Sequence, residues 1–112
     1  MNPLEKFIHW ETSTPDAVFL RQPVSGEWKT WTYREAGSEI RRVASALKNY
    51  QLPPQSNVAI LSKNCAHWIM ADLAIWMAGH TSVPIYPTLS AAGIAFILNH
   101  SEAKVIFLGK LD

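Results

Sequence analysis

Near the N-terminus, apolar residues fall at Leu4, Phe7, Ile8 and Trp10, a spacing that predicts a short amphipathic helix closed by Pro15. Two runs rich in β-branched and aromatic residues follow, "AVFLRQP" and "EWKTWTY", with "VSG" between them to supply a turn. Together they predict a β-hairpin. The helical period then returns. Ala36, Ile40, Val43, Ala44 and Leu47 share one face, while Arg34, Glu39, Arg41, Arg42 and Lys48 fall mainly on the other. Thr32 and Glu35 form a capping box, in which each side chain can take up the other residue's free backbone N–H, and "LPP" at 52 to 54 ends the helix.

Beyond this point the pattern changes. "NVAILSKN" is apolar without alternation, which suits a parallel strand covered on both faces. "CAHWIMADLAIWMAGH" is apolar nearly all round and predicts a buried helix that stops at Gly79. "TSVPIYP" is the next strand. Pro84 inside it cannot donate to a ladder, so the strand lies at an edge or carries an irregularity. Ser90 caps "AAGIAFILNH", whose Ile94, Ile97 and Leu98 share a face, and "AKVIFLG" is the last strand. After the hairpin the order is α, β, α, β, α, β. The fold class expected is α/β: a β-hairpin followed by βαβ units that form a mostly parallel sheet with helices on both faces. Such sheets bind ligands beyond the carboxyl ends of their strands, which singles out the loops "SKNCAH", "YPTLS" and "GKLD".

Composition narrows the class. A chain of 112 residues holds one domain, and 48% hydrophobic with 17% charged residues places it among globular proteins, away from disorder. Five tryptophans imply either an unusually aromatic core or a surface meant to face another part of a protein. A net charge of +1 offers no electrostatic footprint for nucleic acid. The lone Cys65 excludes an internal disulfide and fits a reducing compartment. "WIMADLAIWMAG" is too short for a membrane span and is interrupted by Asp72, and the first residues do not resemble a secretory signal. A soluble, cytoplasmic protein is expected.

Familiar chemistry is scarce. The glycines are scattered at Gly26, Gly37, Gly79, Gly93 and Gly109, so no phosphate-cradling loop occurs. His9, His67, His80 and His100 lack metal-ligand spacing with one another or with Cys65, and no metal site is expected. Cys65 starts a helix, where the dipole favours a thiolate, but no base accompanies it in sequence and a structural role is expected. Asp72 reads as a carboxylate paired or hydrogen-bonded at a subdomain contact rather than a catalytic acid. The basic residues at 34 to 48, interleaved with Glu35 and Glu39, read as a salt-bridging face rather than a phosphate patch. "YPTLS" differs, because Tyr86, Pro87, Thr88 and Ser90 stand between a strand end and a helix start. Backbone N–H groups and hydroxyls can meet an anionic ligand there. The same residues also describe an ordinary strand-to-helix turn with a serine cap.

"WTYREAG" (Trp31 to Gly37), followed by "WMAGHTSVPIYPTLS" (Trp76 to Ser90), resembles the first two core motifs of the adenylate-forming enzymes. These include acyl-CoA synthetases, peptide-synthetase adenylation domains and luciferases. "NVAILSKNCAHWIMADLAIW" is similar to the family's intervening segment, with Asn64 and Trp68 in typical places, and "IAFILNHSEAKVIFLGKLD" continues the pattern. The resemblance covers the chain beyond its first dozen residues. "SVPIYPTLS" looks most like bacterial long-chain fatty acid–CoA ligases, with Tyr86 where amino-acid-activating domains usually carry an aspartate.

The resemblance implies that residues 1–112 are the N-terminal part of an AMP-binding large domain, its first subdomain, truncated before the phosphate-binding loop. In the parent enzyme it implies ATP, Mg2+ and CoA: a carboxylate becomes an acyl-adenylate with release of pyrophosphate, and the CoA thiol then displaces AMP. No catalytic residue is implied within this chain. By position, Tyr86, Pro87 and Thr88 map to the CoA entrance. Implied partners are the rest of the parent chain, a fatty acid, ATP and CoA, with peripheral membrane association open to the parent. The fragment alone is expected to be inactive and to self-associate. Two other readings stay open, a stand-alone binding or scaffold module without catalysis and another adenylate-forming enzyme acting on aryl or amino acids.

Overall fold

In the computed structural model, which describes residues 2–111, each expected element forms. Helix α1 (Pro3–Ser13) starts where the Asn2 side chain accepts the Glu5 amide at 2.8 Å. Pro3 fills the first turn, where its missing N–H costs nothing. Strands β1 (Val18–Val24) and β2 (Glu27–Thr32) pair antiparallel, with Val24 opposite Glu27. Between them Ser25 (φ 53°) and Gly26 (φ 84°) are both left-handed, as a two-residue type I′ turn requires. Thr32 then caps α2 (Tyr33–Asn49). Its hydroxyl accepts the Glu35 amide at 3.1 Å, and its own amide donates to the Glu35 carboxylate at 2.9 Å.

A three-stranded parallel sheet follows, built from β3 (Asn57–Leu61), β4 (Thr81–Ile85) and β5 (Val105–Leu108) in the order β4-β3-β5. Helix α3 (Ala66–Met77) connects β3 to β4, and α4 (Ala91–Ser101) connects β4 to β5. The central strand lacks alternation because both of its faces are covered. Val58 and Ile60 pack with Leu47 of α2 and Ile75 of α3; Ala59 and Leu61 pack with Ile85 and with Ile94, Ile97 and Leu98 of α4. Pro84 sits on an edge strand, opposite Ile60, where a missing ladder donor is tolerated.

The all-round apolarity of α3 has a matching cause. Ile75 faces the sheet, while Ala66, Met70, Leu73 and Ala74 join Phe7, Trp31, Ala36, Ile40 and Ala44 in a second core under α1, α2 and the hairpin. The helix stops at Ala78, and Gly79 turns the chain with φ 84°.

Two expectations resolve differently in detail. Among the tryptophans, Trp31 is buried in the core and Trp68 packs half-buried against it; Trp10, Trp28 and Trp76 are exposed, so most of the tryptophan surface faces outward. The charged face of α2 bridges mainly outward. Arg42 pairs with Glu39 within the helix, but Arg41 reaches Glu11 on α1 and Arg34 reaches Asp16, while Glu35 is committed to the capping box.

Candidate functional site

Because β3 lies between β4 and β5, the loop after β3 is flanked by the loops after the other two. The structure stitches two of these rims together. The Gly109 amide donates to the Leu61 carbonyl at 3.0 Å, and the Lys63 amide donates to the Lys110 carbonyl at 2.7 Å. Buried Ser62 accepts the Lys110 amide at 2.9 Å and donates to the Lys63 carbonyl at 2.8 Å. Loops "SKNCAH" and "GKLD" therefore form one hydrogen-bonded rim, apart from Asp112, which lies outside the described residues. A small cavity of about 90 Å³ opens beside it, walled by Ser62, His67, Trp68 and Gly109.

The loop after β4 stands apart from this network. A turn closes it, with the Leu89 amide donating to the Tyr86 carbonyl at 3.2 Å. Ser90 caps α4, its hydroxyl accepting the Gly93 amide at 3.1 Å. Tyr86 is 69% exposed, Thr88 is exposed and Pro87 is half-buried. Neither the Tyr86 nor the Thr88 hydroxyl makes a hydrogen bond among the described residues. The three are thus brought together at a strand end beside a helix N-terminus, where the amides of Ala91 and Ala92 have no acceptor within the helix. This geometry suits a polar or anionic ligand lying along the turn.

Cys65 occupies the N-cap of α3 without a side-chain capping bond, and its thiol lies 3.9 Å from the Ser62 hydroxyl. The α3 terminus is instead capped from 44 residues away, by the Gln22 side chain accepting the Ala66 amide at 2.7 Å. Sequence reasoning missed Gln22. An exposed-looking glutamine within a strand gives no local signal of such a partner. Asp72 is half-buried and takes no part in the ion pairs or hydrogen bonds among the described residues. No group of three His, Cys, Asp or Glu side chains among the described residues could hold a metal ion, and no described helix is long and apolar enough to cross a membrane.

Comparison with known proteins places this geometry in a family. Residues 7–112 match the model of the AMP-binding enzymes. Long chain acyl-CoA synthetase 2 of Arabidopsis thaliana is 32% identical over an aligned length of 112, which covers 96% of this chain and 17% of the relative. A long-chain-fatty-acid–CoA ligase of Mycobacterium bovis is 35% identical over 97 residues, 87% of this chain and 16% of the relative. This chain therefore spans only a small part of the length of the curated relatives it matches. A fatty acid AMP ligase from Legionella pneumophila shares the fold, with a TM-score of 0.85 at 19% identity over 94% of this chain and 19% of that one. With the match running from α1 through β5, the chain belongs to the AMP-binding enzyme family.

Proposed function

We propose that residues 1–112 are the N-terminal section of the large domain of a long-chain fatty acid–CoA ligase. In that parent, ATP and a fatty acid give an acyl-adenylate and pyrophosphate, and CoA then gives the thioester and AMP. The observation that carries this reading is the identity of about a third to long-chain acyl-CoA synthetases, sustained along most of the chain. The described residues do not fit ATP or Mg2+, since they offer no metal-holding cluster, and the sequence has no phosphate-cradling glycine loop. We therefore assign no step of adenylation to this chain.

CoA fits better. Its nucleotide phosphates are anionic, and the turn at Tyr86, Pro87 and Thr88 offers unengaged hydroxyls beside the positive end of α4. The role proposed for the turn is to hold the CoA nucleotide so that its thiol reaches the adenylate. The chain alone is inactive under this reading. The coding sequence past Asp112 tests it first. A continuing frame with a "TSGTTG"-like loop supports the ligase, and a stop codon favours a binding module instead. The encoded parent is then assayed for ATP–pyrophosphate exchange with fatty, aryl and amino acids. Exchange dependent on long-chain fatty acids is expected; exchange catalysed by the 112-residue chain itself would overturn the assignment.

A further inference from the structure

We draw no further inference here: the strongest candidate, the cleft where Cys65 and the exposed Arg21 of β1 flank the start of α3, rests on a helix N-terminus and a lone cysteine, and nothing else among the described residues points to a ligand there.

Discussion

Gly109 shows how one residue fixes the rim at the strand ends. A Cβ there would run into the Ser62 hydroxyl and lie 2.7 Å from the Ser62 Cβ. Rotating the hydroxyl aside leaves the second clash in place, so Gly109→Ala should cost about 1–3 kcal/mol in urea unfolding. Ser62→Ala should not rescue it, because the offending Cβ remains; full rescue by that change would refute the packing argument. Thr88 invites a functional test in the parent enzyme. If its exposed hydroxyl faces the CoA nucleotide, Thr88→Glu adds like charge near phosphates and should raise the KM for CoA. Pyrophosphate exchange without CoA should hardly change. Ser90→Ala, which removes a helix cap worth about 1 kcal/mol, is the control and should affect both half-reactions alike. Equal loss of both half-reactions in Thr88→Glu, with a lower melting temperature, would make the turn structural. The position of this turn was legible in sequence because a proline-marked strand end and a serine cap are local signals. Its exposure was not, since that depends on what packs nearby.

Elements were legible where their determinants lie within a few residues. The Thr32–Glu35 box and the hairpin turn are local; the box formed as read, and the turn read at "VSG" narrows to Ser25 and Gly26, with Val24 in β1. The partners joining elements were not legible. Glu11 and Arg41 lie 30 residues apart and meet through two hydrogen bonds of 2.7 and 2.6 Å, tying α1 to α2. That bonding to Glu11 raises the Arg41 pKa against a smaller opposing effect of burial. A base whose pKa rises on folding contributes stability fully below its unfolded value and loses it only as pH climbs through the folded value. This contribution is therefore constant across neutral pH and fades only in strong alkali. Glu11 is only 15% exposed, whereas Arg42 and Glu39 are 69% and 41% exposed. Arg41→Gln should consequently destabilise the chain by about 1 kcal/mol or more, and Arg42→Gln by less than about 0.5 kcal/mol. Thermal unfolding of the two variants side by side checks the order; equal shifts would show that the α1–α2 tie adds nothing beyond a surface pair.

At the scale of the whole molecule, the sheet's two edges differ in how well they resist pairing. β4 carries Pro84 within it, whereas β5 reads "VIFL", with no charge and no proline. Lys104 and Lys110 flank β5 but lie outside the strand. Val105 and Phe107 pack toward α2 and α3, yet Ile106 and Leu108 are 37% and 67% exposed on the face shared with Ala59 and Leu61. Helix α4 covers that face over β3 and β4 and leaves β5 bare. Beside the strand, a groove of about 470 Å³ between α2 and β5 adds Val43, Ala46 and Tyr50 to the apolar surface. An unblunted apolar edge is a template for another strand. Two copies related by a twofold axis can pair their β5 edges antiparallel, joining two three-stranded sheets into one and burying Ile106 and Leu108. The chain alone should therefore associate with rising concentration in light scattering. Leu108→Lys places a charge on the strand without disturbing the core, so it should return the chain to a monomer at an unchanged melting temperature. A wild-type chain that stays monomeric at high concentration, or an association indifferent to Leu108→Lys, would remove β5 as the pairing edge.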